Sequence, residues 1–479
     1  GCANACLGDN QMLNAGIPLL NSPDDRDHGL STRQAFCVTI NYVIGTGIFT
    51  LPLAFTRSGS VFGSLLLLLS AFFSYISLTF VIETISRCDA LSRKGDESED
   101  SADYSISSVS WEFSRIADLV HSVRAKQVVQ LLMCLYCYGA LWSYSSVFSS
   151  SVVNLFFESV FGEMCDIYNN PSVSCSRGYL VSLTVFGVIV VVLSLLDLEE
   201  QATIQVALSL YRFAAFGLMI GTIVVSILFA PPPWFPGSQP SQAMSMIPAW
   251  NWTGYVILPS SAVALSMHAN FPDVVQSLKS RQPGSVKAIA SSVFIVVTTL
   301  YLMVGLICAL FFGDRAEALI TLNWKSYTGP SFDGEHTAVY AYIIRTMILA
   351  FPILDMLSVY PLVAVTLSGN LMESVPEEVS LQYSQVRIKK SLRLVSALPP
   401  LIFGAVASNL EFIFKFIGFI AFFMELFIPC FLLLCARHRC SKRFGPLPST
   451  PYASLYNGNW YVYLTISFGI VAVALDIFD

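Results

Sequence analysis

Charged residues are scarce in this chain of 479 residues: they make up 12% of it, whereas hydrophobic residues make up 54%. A soluble domain of this length needs far more charge on its surface, so the composition excludes an ordinary soluble protein. The sequence also lacks a Gly-rich loop ending in Lys-Ser/Thr, a zinc-spaced set of Cys and His, and a clustered acid/base pair. These absences argue against an ATP-driven pump and against a membrane enzyme, and we expect no cofactor, no resident metal and no nucleic-acid partner.

A cleavable signal peptide is not predicted, because residues 1–33 are polar and acidic and have no long apolar core. We expect this segment to be a cytosolic tail, and the first apolar segment to direct insertion. The tail begins with GCANAC. If an initiator Met were removed, Gly1 could be myristoylated and Cys2 and Cys6 palmitoylated, but Ala5 stands where the motif has Ser or Thr, and a fragment would look the same.

Long apolar segments dominate what is present, and the mean hydropathy is +0.64. A helix that spans a bilayer needs about 20 apolar residues, and eleven segments of this chain meet that need. Their predicted bounds are 34–57, 60–86, 127–157, 179–197, 203–230, 253–272, 287–312, 338–367, 393–409, 412–436 and 459–477. The sequence therefore predicts an all-α integral membrane protein with 11 transmembrane helices, embedded in a lipid bilayer.

Lys and Arg are unevenly divided between the two sides of such a bundle. Most of the 26 fall in the tail and in the loops after the second, sixth, eighth and tenth segments. Positively charged loops are disfavoured in translocation and stay in the cytosol. We therefore predict a cytosolic N-terminus and a C-terminus on the opposite side.

Two features fall on the predicted outer side. Asn251 begins an Asn-Trp-Thr sequon, which makes it a predicted N-glycosylation site. Of the twelve cysteines, Cys165 and Cys175 alone fall in a predicted outer loop, so we expect a disulfide between them. Both features fit either the plasma membrane or a lysosome- or vacuole-like organelle.

Two of the apolar segments carry residues that interrupt a helix. The stretch NYVIGTGIFTLP, residues 41–52, contains two Gly and a Pro, and LSMHANFPDVVQSLKS, residues 265–280, contains His268, Asn270 and Pro272. Pro removes a backbone hydrogen bond and Gly weakens a helix, so both segments should open midway. Unpaired backbone at membrane depth is costly unless it lines a protein cavity, and the two breaks therefore indicate a ligand site.

The positions of the breaks suggest an internal repeat. They lie near Thr46 in the first segment and near Asn270 in the sixth. Matching interruptions in the two halves are typical of transporters built from inverted repeats, with the site at the midplane. The predicted units are a cytosolic tail 1–33, a first five-helix repeat 34–230 with a cytosolic loop 87–126, an outer loop 231–252, a second five-helix repeat 253–436, a cytosolic loop 437–458 and an eleventh helix 459–479.

Several motifs resemble those of one family and occur in the same order. They are INYVIGTGIFTLPLAFTRSG, SWEFSRIADLV, CYGALWSYSS, HANFPDVVQSLKS, YLMVGLICALFFGD and FKFIGFIAFFMELFIPCFLLL, and together they cover roughly residues 33 to 436. On these motifs the chain resembles the amino acid/auxin permease family, within the amino acid, polyamine and organocation superfamily. The resemblance implies the leucine-transporter (LeuT) fold, with broken helices 1 and 6, a 5+5 inverted repeat and one extra C-terminal helix. Ser266 and Met267 depart from the small or aromatic pair usual in the family, which leaves the substrate side chain open.

The resemblance implies a substrate with an α-carboxylate and an α-ammonium group. Opened backbone at the start of a half-helix exposes N–H groups that favour an anion, so amides of the first break should hold the carboxylate. Carbonyls of the second break should accept from the ammonium. The tyrosine of the third segment either donates to the carboxylate or packs between helices. The expected substrate-binding residues are Ile44, Gly45, Thr46, Gly47, Tyr144, Ser266, Met267 and Asn270.

Two kinds of ion coupling stay open at this point. In sodium-dependent relatives an asparagine before the glycine motif and hydroxyls of the eighth helix bind the cation, and Asn41 and Ser358 are the corresponding candidates. Proton coupling needs a titratable group instead, and His268, beside a break, and Asp355 are the candidates. His268 could equally cap freed carbonyls. The ionisable residues predicted within spans are Arg212, His268, Arg345, Asp355, Lys415 and Glu425, some of which could form ion pairs that only fix helix packing.

The function predicted from these observations is secondary active transport of amino acids by alternating access, coupled to protons rather than sodium. The alternative is an amino-acid sensor of the same fold that signals through its tail and the 93–126 region to a cytosolic regulatory protein. The short tail of 33 residues favours the transporter.

Overall fold

The structure is a computed structural model in which nearly all regular elements are helices. It describes residues 29–93, 103–107, 109, 111–161, 165, 167, 172–195, 198–229, 235, 247–252, 254–329, 339–407, 409–445 and 449–478. The helices are α1 Thr32–Val43, α2 Gly47–Ser58, α3 Ser60–Ser92, α4 Phe113–Val120, α5 Val123–Phe161, α6 Val173–Ser194, α7 Leu198–Leu228, α8 Ile257–Leu265, α9 Phe271–Gln276, α10 Pro283–Phe312, α11 Val339–Met372, α12 Glu377–Gln382, α13 Gln385–Val406, α14 Leu410–Phe422, α15 Ile428–Phe444 and α16 Asn459–Phe478. A π-helical turn, Phe423–Phe427, joins α14 to α15.

Eight helical stretches of the described residues are long and apolar enough to cross a membrane, and the bent pair α1–α2 makes up to nine. The predicted sixth segment is divided between α8 and α9, each too short to span a bilayer alone. The predicted ninth segment lies in α13, whose first turns are basic. The all-α membrane architecture is confirmed, while the count of eleven spans and the unit boundaries stay predictions. Gly1, Cys2, Cys6 and most of the tail lie outside the described residues.

The first break separates α1 from α2. A capping box at Ser31 begins α1, in which the Ser31 side chain accepts from the Gln34 amide and Gln34 reaches back to the Ser31 backbone. Ile44 leaves the helical conformation, with φ −78° and ψ 83°, and α2 begins three residues later at Gly47. The axes of the two half-helices differ by 53°. The segment predicted to open near Thr46 does so.

The second break is longer. Helix α8 ends at Leu265, Ser266 is extended with φ −75° and ψ 100°, and α9 begins at Phe271. Pro272 occupies the first turn of α9, where a missing backbone N–H costs nothing. The break predicted near Asn270 therefore covers residues 266–270.

Long straight helices surround the four half-helices. Helix α11 packs along α5, and α15 packs along α3, while α2 contacts α10 and α8 contacts α14. At one end of α3 the carboxylate of Glu83 accepts from the guanidinium groups of both Arg87 and Arg437, which ties α3 to α15. Helix α15 continues in helical form to Phe444, into the predicted cytosolic loop. Helices α10 and α14 thus pack against the half-helices α2 and α8.

Candidate functional site

The two breaks touch each other directly. A Cβ added at Gly47, the first residue of α2, would lie 2.6 Å from the Cα atom of Ala264 in the last turn of α8. No real Cβ comes that close to backbone, so a side chain at position 47 would have to move one helix away. Gly47 is therefore required for backbone contact between the broken helices, which the sequence did not indicate.

Tyr301 of α10 connects the same two helix ends. Its hydroxyl lies 3.0 Å from the carbonyl oxygen of Val43 and 2.8 Å from that of Ala264. Both carbonyls are at helix C-termini, where orphan acceptors need a donor. Because a hydroxyl has one hydrogen, Tyr301 donates to one carbonyl at a time. The sequence gave no signal for this role, since a tyrosine in an apolar helix is typical of packing.

The remaining residues of the first break face α5. A Cβ at Gly45 would lie 3.2 Å from the hydroxyl oxygen of Tyr144, which is buried. The hydroxyl oxygens of Thr46 and Ser143 are 3.1 Å apart. The amide of Ile44 donates to Ile40 O, and that of Gly45 donates to Val43 O at 2.9 Å, so the Gly45 amide has an internal partner. The structure thus places Tyr144 and Ser143 beside the first break.

The second break presents both side chains and carbonyls. Ser266 and Met267 are buried, and Ser266 lies beside Tyr136 of α5. The carbonyl of Met267 accepts from the amides of Asn270 and Phe271, at 3.0 and 2.9 Å. The Met267 carbonyl predicted to receive the substrate ammonium therefore already closes a turn at the start of α9. Asn270 is the N-cap residue of α9, and its side chain makes no capping bond.

His268 points away from the first break, toward α3. Its side chain is fully buried, and Nε2 lies 3.0 Å from the carbonyl oxygen of Ser74. A carbonyl only accepts, so Nε2 carries the hydrogen and Nδ1 carries the lone pair. Within the described part of the chain Nδ1 has no hydrogen-bond partner. Glu425, in the π-helical turn, also lies beside Ser74.

Asn41 and Asp355 are joined through an arginine of α7. The amide oxygen Oδ1 of Asn41 accepts from Nη1 of Arg212 at 2.7 Å and from the hydroxyl of Ser209 at 2.7 Å. Nη2 of Arg212 pairs with Oδ1 of Asp355. Ser358 donates to the Asp355 carbonyl at 3.0 Å. The four predicted coupling residues are thus divided: Asn41 and Asp355 contact Arg212, Ser358 bonds to the Asp355 backbone, and His268 faces α3.

This arginine is an ionisable residue that the sequence identified within a span, but its partners could not be read from the sequence. Arg212 has 0% of its surface exposed, and the side chain of Asp355 has 2%. Buried charges of this kind are found paired, because an unpaired one is very costly. Arg212 could be identified because it is an ionisable residue in an apolar segment. Only the fold shows that α1 and α11 supply its acceptors.

An acidic residue outside the spans lies close to the second break. Glu112, the residue before α4, accepts through Oε2 from the Asn370 amide at 2.7 Å. Burial, followed by the negative charges of Asp273 in α9 and of Glu373, raises the pKa of Glu112 well above its usual range, while the Asn370 hydrogen bond opposes this. The surroundings of Glu112 therefore favour the protonated, neutral form of its carboxyl group.

A cavity lies on the predicted outer side of the two breaks. It has a volume of about 400 Å³ and is bounded by α2, α8, α14 and the segment after α10. Thr50 and Pro259 contribute to its walls, and Arg57, Glu317 and Lys415 contribute charge. Near this cavity, Nδ2 of Asn251, the predicted glycosylation site, donates to the carbonyl of Arg57 at 2.7 Å.

The sulfur atoms of Cys165 and Cys175 face each other, with Cα atoms 5.4 Å apart. This separation is within the usual range for a disulfide. Cys175 lies in the first turn of α6, whose N-cap Ser172 accepts from the Cys175 amide. Among the described residues no group of three or more His, Cys, Asp or Glu could hold a metal ion.

Residues 28–474 match the family described as transmembrane amino acid transporter protein. The chain belongs to this family. The family resemblance seen in the motifs is thereby confirmed. Curated relatives include the Transmembrane protein 104 homologs of Drosophila melanogaster, 22% identical over 93% of this chain and 96% of that protein, and of Caenorhabditis elegans, 25% identical over 91% and 94%.

Two further similarities bear on function and fold. Vacuolar amino acid transporter 5 of Schizosaccharomyces pombe is 37% identical over 71 residues, which are 15% of this chain and 17% of that protein. The crystal structure of MhsT in complex with L-phenylalanine superposes with a TM-score of 0.60 and 10% identity, covering 94% of this chain and 98% of that chain. At this identity the likeness concerns the fold alone, and it confirms the predicted LeuT-like fold for this member of the transporter family.

Proposed function

We propose that this protein is a secondary active transporter that moves amino acids across a membrane by alternating access and is driven by protons. The observation that carries the proposal is the direct contact of two broken helices at Gly47 and Ala264 in a chain of the amino acid transporter family. Helix breaks at membrane depth persist where they line a ligand site.

The substrate is proposed to bind between the first break and α5. The amides of Thr46 and Gly47, at the start of α2, would hold the α-carboxylate, because the N-terminus of a half-helix favours an anion. Gly45 leaves room for close approach, and the hydroxyl of Tyr144 beside it would donate to the same carboxylate. Ile44, Ser266, Met267 and Asn270 complete the walls, with freed carbonyls of the second break as acceptors for the ammonium. MhsT, which has the same fold, was crystallised with L-phenylalanine.

His268 is the proposed proton carrier. Nε2 is directed at the Ser74 carbonyl, so the lone pair on Nδ1 is the position at which a proton would add. His268 lies within the second break, and a proton bound there changes the charge of the segment that must move. Glu425 beside Ser74 is a second group that could take the proton. Asp355 could take part only when its ion pair with Arg212 opens.

The outer features complete the proposal. We propose a disulfide between Cys165 and Cys175, a glycan on Asn251 and a cytosolic N-terminus, in the plasma membrane or the membrane of a lysosome- or vacuole-like organelle. The partial match to a vacuolar transporter favours the organelle.

Uptake of labelled amino acids into proteoliposomes tests this function. The purified protein is reconstituted, and a proton gradient, a sodium gradient or neither is imposed. Accumulation should require the proton gradient. Replacement of His268 by Gln should abolish proton-driven accumulation but leave exchange of labelled for unlabelled substrate, because exchange needs no net proton movement. His438→Gln, on α15 away from the breaks, is the matched control.

Two results would contradict the proposal. Accumulation driven by sodium alone would exclude proton coupling. Binding of an amino acid by folded protein without accumulation or exchange under any gradient would favour the sensor.

A further inference from the structure

The atoms around Asn41 form a set of oxygen acceptors of the kind that binds a hard cation. Three oxygens converge from two helices: the Asn41 amide oxygen and the Ile40 carbonyl of α1, and a carboxylate oxygen of Asp355 of α11. Amide, carbonyl and carboxylate oxygens suit hard cations, which are weakly polarisable. The resemblance to sodium-dependent relatives made Asn41 the candidate for a sodium ion.

A side chain already supplies the cation at this place. Arg212 donates through Nη1 to the Asn41 amide oxygen at 2.7 Å and to the Ile40 carbonyl at 3.4 Å, while Nη2 pairs with Asp355. Arg212 is fully buried, and the guanidinium group of arginine carries a permanent positive charge. The permanent positive charge therefore lies among these oxygens.

A sodium ion does not fit beside it. Oδ1 of Asn41 accepts from Ser209 as well as from Arg212, so both of its lone pairs are engaged. An added ion would lie next to a like charge in a buried region, where repulsion is strong. Arg212 and Asp355 already balance each other, so an added ion would also leave one uncompensated charge.

We propose that the guanidinium of Arg212 replaces a sodium ion as the cation that joins α1 to α11, so that this protein binds no sodium at Asn41. Arg212 is a positioning residue: it holds the first half-helix against α11. This inference rests on the proposed transport function, in which it excludes sodium at Asn41 as a coupling ion. The occupation of the Asn41 and Asp355 oxygens by Arg212 does not depend on transport.

The experiment is thermal unfolding of the purified protein in NaCl and in choline chloride of equal ionic strength, without substrate. The wild-type melting temperature should be the same in both salts. Arg212→Ala empties the acceptors, and we expect sodium to raise its melting temperature by about 2 °C or more relative to choline, the scale of stabilisation by a bound ligand. In Arg212→Ala/Asp355→Ala the sodium effect should vanish, because the carboxylate is gone.

Two further variants keep the test decisive. Arg212→Leu, whose side chain also has no donor for these oxygens, is made in parallel, so that failure of one substitution to fold leaves the other. Arg345→Ala removes a different arginine of a spanning helix, one that donates to the Lys325 carbonyl, and should show no sodium effect. Sodium stabilisation of the wild type that Asn41→Ala removes would overturn the proposal. A folded Arg212 variant without a sodium response would also overturn it, because the emptied oxygens would then not be a cation site. Neither result depends on uptake, so failure of the proposed function is detected separately.

Discussion

Both helix breaks interrupt a helix within an apolar segment, but they expose different chemical groups. The first is three residues long, contains Gly45 and is followed by Gly47, and is stabilised by backbone packing against Ala264 and by the hydroxyl of Tyr301. The second is five residues long and carries His268, which bonds to α3, followed by an acidic first turn in α9. The first break therefore offers backbone groups to a ligand, whereas the second offers titratable side chains. The comparison predicts that substitutions at the first break impair substrate binding and that those at the second alter the response to pH.

The largest effect is expected from Gly47→Ala. The new Cβ would meet the Ala264 backbone at 2.6 Å, so the two breaks must separate. Overpacking of this kind costs about 1–3 kcal/mol, and we expect uptake to fall by about tenfold or more, since a 1.4 kcal/mol loss is tenfold. The matched control is Gly217→Ala in α7, where nothing lies within 4 Å and uptake should be unchanged. Equal uptake by both variants would show that close contact of the breaks is not needed.

A smaller effect is expected from Tyr301→Phe. The Ala264 carbonyl loses its donor, whereas the Val43 carbonyl keeps the Gly45 amide, and an unsatisfied buried acceptor costs about 1–3 kcal/mol. We expect the concentration for half-maximal uptake to rise, because the first break loses its support. Tyr211→Phe removes a comparable hydroxyl, 2.6 Å from the Met347 carbonyl, and should lower stability without altering that concentration. If both variants alter it equally, Tyr301 has no specific role at the breaks.

The smallest effect concerns pH and the acid next to α9. The raised pKa of Glu112 means that the folded state binds its proton more tightly than the unfolded state does. Its contribution to the free energy of unfolding is therefore present at pH below about 4.5 and is lost as the pH rises toward the folded-state pKa. Glu112→Gln should be more stable than the wild type at pH 7 and should show a flatter pH dependence of the melting temperature. Glu378→Gln, in the short helix α12, is the control. An unchanged pH profile in Glu112→Gln would contradict the assignment.

The breaks were predictable from sequence because their cause is local. Gly45, Gly47 and Pro272 weaken a helix wherever they stand in an apolar segment, and the structure opens at residues 44–46 and 266–270. The family was predictable for the same reason, since its motifs include these residues. The bounds of the helices were less predictable than the breaks, because helix ends depend on tertiary contacts.

Contacts between distant segments were not predictable. Arg212 was identified as an ionisable residue in a span, but its neighbours at positions 41 and 355 are 171 and 143 residues away in the chain. Tyr301 and Ser143 carry no local mark of function, and their roles follow from the helices they face. The predicted site residues themselves were separated by the fold into a group around Arg212, a group around the first break, and His268 on the side of α3.

The contact between Gly47 and Ala264 has a mechanical consequence. No side chain lies between the two backbones there, so neither half-helix pair can slide past the other by changing rotamers. The two breaks should therefore rotate together about the contact between Gly47 and Ala264. In the proposed transport cycle, a tilt that widens the cavity beside α2 and α8 would therefore also move α1 and α9.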